Sequence, residues 1–254
     1  TLAQIHLIRG DYDEATRNLD RAREAYGIYG LQTSRWYEWS IRLLTARLAL
    51  RRGFRDEALQ GATEMAEASG IPPGEWVQAE LLSAEVLLAD GRTEEAEARL
   101  TSVGSKLDPR LTPGAWGDYL RLRGEAHARR GRTIDAYHDF AQSASVYDLL
   151  GERYQSAQSR LALGTLVARA GARSAAERHL KEALAIFEEL GAQPDIAASR
   201  ASVPLLPSAT TGEYLASPGE ADDVIVRRVV DAAVMPELLA LETASALLEA
   251  SSGD

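Results

Sequence analysis

The sequence predicts an all-α fold, a right-handed superhelix of five helical hairpins followed by further C-terminal helices. Three small residues recur five times at one spacing: a small residue, Gly seven positions later, and Ala five positions after that. Successive glycines of these sets lie 43, 38, 40 and 40 residues apart. Self-similarity at a fixed period is typical of solenoids, in which each unit packs on its neighbours. The five sets are Ala3/Gly10/Ala15, Ala46/Gly53/Ala58, Ala84/Gly91/Ala96, Gly124/Gly131/Ala136 and Gly164/Gly171/Ala176.

Amphipathic helices are predicted on both sides of every turn glycine. Before Gly53 and after Gly131, apolar residues advance by three or four positions, which is the period of a helix and not of a strand. Glycine suits the left-handed backbone that ends a helix, because a Cβ atom is strained there. The residues that follow are predicted to cap the next helices through their side-chain oxygens, at Asp11, Thr93 and Thr133.

Side-chain size is graded along each unit. One small residue per helix lets the two helices of a hairpin approach closely. Large residues are predicted to fill the interior one turn further on, at Leu19, Leu100, Phe140 and Leu180, with Ala62 as the small member. Trp36, Trp76 and Trp116 stand 40 positions apart at the start of three first helices. This spacing favours a place in the core, with a ligand platform as the alternative.

The segment GDYDEATRNLDRAREAY at 10–26 resembles the second half of a tetratricopeptide repeat, with a turn glycine, an alanine, a large apolar residue and then Ala22. All five units carry the three small positions, and the resemblance covers about residues 1–200. The units are close to 40 residues long rather than the family's usual ~34, and most lack its closing proline. Longer units with endings such as LKEALAIFEELGA at 180–192 resemble the helical repeats of large bacterial signalling and transcription regulators.

This resemblance implies a protein–protein or peptide-binding module within a larger bacterial regulatory protein. In the family's fold, the first helix of each unit lines a concave groove and the second helix faces outward. Counted back from each turn glycine, the groove positions of this chain are mixed polar residues: Ser40, Arg47, Arg51, Gln78, Glu85, Asp118, Arg121, Glu125, Arg129, Gln158, Thr165 and Arg169.

Four of these groove residues are predicted to bind the acidic or carboxylate groups of a partner, namely Arg47, Arg51, Arg121 and Arg129. The reason is that a guanidinium group engages a carboxylate through two parallel hydrogen bonds. The expected partner is a protein, a peptide or another domain of the same chain. The alternative function is a structural oligomerisation module, whose terminal helices pair between the protomers of a homodimer.

The composition of the chain limits the environment in which it works and the partners that it binds. The chain has no cysteine, which excludes disulfides, thiolate zinc sites and thiol nucleophiles. It has no apolar run of membrane-spanning length and no signal-peptide pattern, so a cytoplasmic location without membrane association is predicted. The net charge is −10, with nine acids against two arginines in 204–254 and 29 acids against 26 bases in 1–203. Neither part has the basic face that direct nucleic-acid binding requires.

Catalytic constellations are lacking, so the sequence predicts a protein that is not an enzyme and needs no cofactor. The four histidines, His6, His127, His138 and His179, are scattered over several units without a pair at i, i+4, so no metal site is predicted. Every turn glycine lies between helices rather than after a strand, so no nucleotide-binding glycine loop is predicted.

The chain divides into three parts. Residues 1–201 form the repeat array, and its first helix has about half the length of its counterparts, so the chain is expected to be part of a larger protein. Residues 202–219 are rich in Ser, Pro, Thr and Gly, which predicts a linker or an irregular strap. Residues 220–254 return to helical spacing. They are predicted either to cap the last repeat or to lead into a missing downstream domain, and they resemble the helical lead-in to a small-ligand sensor domain of the GAF kind.

Overall fold

The structure, a computed structural model, describes residues 1–28 and 35–202, and within these residues it is entirely helical. The predicted helices at 220–254 and all of the predicted linker except Ser202 lie outside the described residues. The helices are α1 (Leu2–Arg9), α2 (Tyr12–Ile28), α3 (Arg35–Arg52), α4 (Arg55–Ala66), α5 (Pro73–Ala89), α6 (Thr93–Gly104), α7 (Pro113–Arg129), α8 (Thr133–Leu150), α9 (Arg153–Arg169), α10 (Arg173–Leu190) and α11 (Gln193–Ser202).

Consecutive helices pack against one another along the whole described chain. The odd-numbered helices make a second set of contacts, because α1 meets α3, α3 meets α5, α5 meets α7, and α7 meets α9. These odd-numbered helices therefore form an inner layer, and the even-numbered helices pack on its outside. Among the described helices, none combines the length and the apolar character that crossing a bilayer requires.

The left-handed backbone predicted at the turn glycines is confirmed. Their φ angles are 84° at Gly10, 87° at Gly53, 78° at Gly91, 73° at Gly131 and 86° at Gly171. A φ angle in this range is accessible to glycine without strain but costs a residue that carries a Cβ atom about 1–2 kcal/mol. The turns after α8 and α10 also contain a left-handed glycine, because the φ angles of Gly151 and Gly191 are 70° and 69°.

The predicted threonine caps are wrong. Thr93 and Thr133 are already the first residues of α6 and α8, and the capping positions belong to Arg92 and Arg132, whose side chains make no capping hydrogen bond. The physical reason is the tightness of the turn. A single residue separates the left-handed glycine from the next helix, so the threonines fall one position too late to cap it.

The graded packing of small and large residues is confirmed. The predicted interior residues Leu19, Ala62, Leu100, Phe140 and Leu180 are all buried, with exposed fractions of 1–4%. The small positions that face them are buried as well. Trp76 and Trp116 are partly buried against the central core cluster, in keeping with the core interpretation, whereas the side chain of Trp36 is outside the described set.

The first and last described helices touch each other. α11 packs on α10 and α9 and also reaches α1. A Cβ atom added to Gly10 would lie 2.9 Å from Cγ of Pro194, so the turn after α1 and the start of α11 are in close contact. The inner layer therefore closes into a ring, in which α11 contacts both α9 and α1.

Replacing Gly131 with valine is expected to destabilise the protein by about 1–2 kcal/mol, because its φ angle of 73° is strained for any β-branched residue. No atom lies within 4 Å of a Cβ built at Gly131, so the loss would come from the backbone and not from a clash. Urea denaturation should rank Gly131→Asn between the wild type and Gly131→Val, since asparagine tolerates this conformation. Equal stabilities for all three proteins would contradict the assignment.

Candidate functional site

The inner layer surrounds two adjoining clefts, which together collect most of the predicted groove. The first cleft has a volume of about 110 Å³ and the second about 460 Å³, and Arg121 and Gln158 line both. Ten of the twelve predicted groove residues line one or both clefts. They are Arg47, Arg51, Glu85, Asp118, Arg121, Glu125, Arg129, Gln158, Thr165 and Arg169.

The other two predicted groove residues differ from each other. Gln78 joins the first cleft indirectly, because its Oε1 accepts a hydrogen bond of 2.8 Å from Nη2 of Arg47. Ser40 is half-buried and lines neither cleft. It lies on the first half of α3, whereas the clefts take their α3 residues from the second half, Leu44 to Arg51.

Arg121 is the central cation of the first cleft. Its side chain is only 13% exposed, and Nη2 lies 3.2 Å from Oε1 of Glu85 and 3.9 Å from Oδ1 of Asp118. Burial alone would raise the pKa of Glu85, but the charges of Arg121 and Arg47 outweigh it, so this pKa lies below its ordinary value. Glu85 is therefore ionised at neutral pH. The Nε atom of Arg121 is buried and has no hydrogen-bond partner among the described residues.

A four-residue network connects α3, α9 and α11 at the boundary of the two clefts. Nη2 of Arg51 donates to Oδ2 of Asp195 at 2.7 Å and to Oη of Tyr154 at 3.0 Å. Tyr154 donates in turn to Oδ2 of Asp195 at 3.0 Å, and Nε2 of Gln158 lies 2.9 Å from Oη of Tyr154. Burial raises the pKa of Tyr154, and the raising effect of Asp195 adds to it against the lowering effect of Arg51. The phenol therefore keeps its proton and can donate.

Asp195 and Tyr154 are the residues of this site that the sequence interpretation missed. Asp195 is separated from Arg51 by 144 positions and belongs to a helix beyond the last turn glycine. Its side chain is 8% exposed, which is unusual for an aspartate at the start of a short helix. No local pattern could have placed it here, because the contact depends on the closure of the whole inner layer.

The second cleft combines available cations with an apolar wall. Arg129 pairs with Glu125 of its own helix at 2.7 Å, and both side chains are more than one-third exposed. Arg169 is exposed and makes no hydrogen bond or ion pair with any other residue in the described ranges. Apolar side chains complete the lining, namely Ala128, Phe140, Leu161, Ala162 and Leu166.

The four arginines predicted to bind a ligand are thus in different situations. Arg51 and Arg121 already pair with the carboxylates of Asp195 and Glu85, and Arg129 pairs with that of Glu125, whose side chain is 36% exposed. Among the described residues, Arg47 bonds only to the neutral amide of Gln78. Their binding of an external carboxylate stays a prediction, and the geometry makes Arg129 more accessible than Arg51 or Arg121.

The histidines do not gather into one site. His6 lies 3.4 Å from Asp11, and His127 lies 3.2 Å from the buried carboxylate of Asp139. His179 is half-buried on α10, where burial, followed by the nearby charge of Arg178, lowers its pKa. Over residues 1–28 and 35–202, no group of three metal-ligating side chains is close enough to hold an ion.

The tetratricopeptide resemblance rests on the residues quoted for it, and the helical packing is compatible with that resemblance. No protein-family model, curated protein or solved structure matches this chain.

Proposed function

We propose that the chain is a protein- or peptide-binding module whose second cleft takes an acidic segment of its partner. The observation that carries this proposal is Arg169, an exposed cleft cation with no counter-charge among the residues described. The module is a right-handed superhelix of five helical hairpins, of the tetratricopeptide type with units of about 40 residues. Its fold supplies the binding surface, and its action is not enzymatic.

Charge supports an acidic partner. The two clefts are lined by five arginines and four carboxylates, in a chain whose net charge is −10. The interior is therefore positive relative to the rest of the molecule. An acidic segment gains from this field inside the clefts, so binding there is favoured.

The shape of the second cleft supports a peptide. Its volume of about 460 Å³ lies in the usual range for small-ligand sites, about 300–1,000 Å³. That space accommodates a few side chains and not a folded domain. The wall formed by Leu161, Ala162 and Leu166 suits an apolar side chain, and Arg129 and Arg169 suit a neighbouring carboxylate. An amphipathic acidic segment matches both features.

The cellular setting is also proposed. The length of the units and the endings of the helices resemble the repeat regions of large bacterial signalling and transcription regulators, so we place the module in such a regulatory protein, in the cytoplasm. Its partner is another protein or another domain of the same chain. The acidic balance of the chain opposes direct binding to nucleic acid.

Reversing the charge of Arg169 is expected to weaken acidic-peptide binding about 10–100-fold, because a charge-assisted hydrogen bond is worth about 1.5–3 kcal/mol. The probe is a fluorescein-labelled octapeptide of glutamate and leucine, followed by fluorescence anisotropy, with a lysine–leucine octapeptide as the charge control. The matched variant Arg178→Glu makes the same change at an exposed position of α10, away from both clefts, and should bind the probe like the wild type. Equal affinities of Arg169→Glu and Arg178→Glu, or preference for the lysine peptide, would contradict the proposal.

The second candidate function is self-association through terminal helices. The observation in its favour is an exposed apolar pair on α1, where Leu2 is 65% and Ile5 46% exposed. Apolar side chains left in contact with water favour association with a matching surface. Light scattering after size-exclusion chromatography distinguishes the two functions. A dimer that dissociates on the double change Leu2→Glu and Ile5→Glu would support self-association, and a monomer would rule it out.

A further inference from the structure

The network at the boundary of the clefts has the form of an occupied binding site. We infer that Arg51 and Tyr154 form a carboxylate-binding site which the chain's own Asp195 fills, and that an acidic ligand competes with Asp195 for it. The second half of this inference rests on the proposed function, because it assigns a regulatory contact to the same concave surface. The first half stands on the geometry alone.

The geometry is that of two donors converging on one carboxylate oxygen. Arg51 and Tyr154 approach Oδ2 of Asp195 to 2.7 and 3.0 Å, from α3 and α9 respectively. The other oxygen, Oδ1, accepts no hydrogen bond from the described residues, and Asp195 lines the second cleft. The carboxylate therefore stands between the two donors on one side and the open cleft on the other.

Asp195 comes from a different part of the fold than the site it fills. Arg51 and Gln158 occupy groove positions of the repeat pattern, and Tyr154 lies one turn before Gln158 on the same helix. These residues belong to the inner layer, whether or not α11 is in place. Asp195 reaches them from the first turn of α11, so it contacts the array in the way that a bound ligand would.

The hold of α11 on the array is divided between a polar and an apolar anchor. The polar anchor is the bond of Asp195 to Arg51 and Tyr154. The apolar anchor consists of Ile196, which packs in the cluster around Phe187, and of Pro194, which lies against the turn at Gly10. The other side-chain bonds of α11 are weaker, and one of them joins Oγ1 of Thr165 to Oγ of Ser202 at 3.4 Å. Arg200 pairs with Glu188 at 3.0 Å with both side chains about half exposed or more, and an exposed pair of this kind contributes little.

Competition conserves the hydrogen bonds of the site. If Asp195 were removed and nothing replaced it, Arg51 would keep a partly buried charge without a partner, which is costly. A ligand carboxylate that enters as Asp195 leaves restores the same two bonds. The free-energy cost that remains is then the release of α11 from its apolar anchor. The protein with Asp195 in the site therefore binds acidic ligands more weakly than a protein in which Asp195 has left the site.

The substitution Asp195→Asn in the full chain tests this inference, because it keeps the shape of the side chain and removes its charge. We expect the affinity for the glutamate–leucine octapeptide to rise at least about tenfold, since a larger fraction of the protein is then competent to bind. Adding Arg51→Gln to Asp195→Asn should cancel that gain. The matched control is Asp139→Asn, which alters an equally buried, arginine-paired aspartate away from the clefts and should leave the affinity unchanged.

A second measurement reports on the contact without any ligand. The chain has no cysteine, so two spin labels can be placed at single cysteines replacing Arg21 on α2 and Ala198 on α11, both exposed. Pulsed electron paramagnetic resonance should give one narrow distribution of distances between the two labels when Asp195 is unchanged. Asp195→Asn, or an excess of the octapeptide, should add a longer-distance population.

The outcomes separate this inference from the proposed function. Unchanged affinity and unchanged distance in Asp195→Asn would overturn the inference, even if the wild type binds the acidic octapeptide through Arg169. Failure of every variant to bind the octapeptide would refute the proposed function and the competition, while a longer distance in Asp195→Asn would still establish Asp195 as the polar anchor of α11.

Discussion

Replacing Phe187 with alanine is expected to lower the free energy of unfolding by about 3–5 kcal/mol. Phe187 is fully buried, and its ring meets that of Tyr154 edge to face, with the ring centroids 5.9 Å apart. Its other neighbours include Ala157, Ala183 and Ala192, whose short side chains have no means of filling the space that the phenyl ring leaves. The cavity would remain, and both its surface and the lost burial count against the folded state.

The matched control is Phe54→Ala, because Phe54 is 52% exposed at the start of α4. Its loss should change the free energy of unfolding by no more than about 1 kcal/mol, in proportion to the area it buries. Urea denaturation followed by circular dichroism at 222 nm, where helical signal is strong, measures both. Similar losses for the two variants would mean that Phe187 does not occupy the buried position described.

Replacing Gly124 with alanine is expected to destabilise the protein by about 1–3 kcal/mol, although alanine is the better helix former. A Cβ atom at Gly124 would lie 2.8 Å from Cε1 of Phe140 and 3.1 Å from Cβ of Asp139. Both neighbours are buried on α8, so α7 and α8 would have to move apart. The clash therefore outweighs the gain in helix propensity.

The substitution Gly27→Ala measures the effect of helix propensity on stability without a clash. Gly27 also lies within a helix, α2, but a Cβ atom there would meet nothing within 4 Å. This change should raise stability by up to about 1 kcal/mol, opposite in sign to Gly124→Ala. Adding Phe140→Leu to Gly124→Ala should recover part of the loss, because the third unit carries Ala84 and Leu100 at the same two register positions. If Gly124→Ala were as stable as Gly27→Ala, the close approach of α7 and α8 would be refuted.

The repeat pattern predicts local structure well because each of its signals acts over a few residues. The turn glycine of each repeat set ends a helix, where a left-handed backbone is favoured, and all five turn glycines have one. Burial of Phe140 and Leu180 follows in the same way from helix period and hairpin packing. The threonine caps failed at the same scale, since shifting the helix start by one residue removes the capping geometry.

The positions of the site residues were predictable from the sequence, but the carboxylate partner of each arginine was not. The repeat register, with the concave side taken from the tetratricopeptide resemblance, predicts ten residues that line the two clefts. Which carboxylate each arginine meets depends on contacts between units, such as Arg121 with Glu85 across 36 positions. The meeting of Arg51 with Asp195 depends on the accumulated rotation of every unit between them, and no single segment encodes that sum.

The contact between α1 and α11 alters how the array should lose its structure. In an open solenoid the end units have one neighbour each, so they fray first and unfolding spreads inward from them. Here the first and last described helices contact each other, so early and late parts of the described array are joined and are expected to unfold together. The same contact raises the mean sequence separation of native contacts, and a higher contact order slows folding. The contact between α1 and α11 thus favours slower, more cooperative folding over the fast, stepwise assembly of an open array.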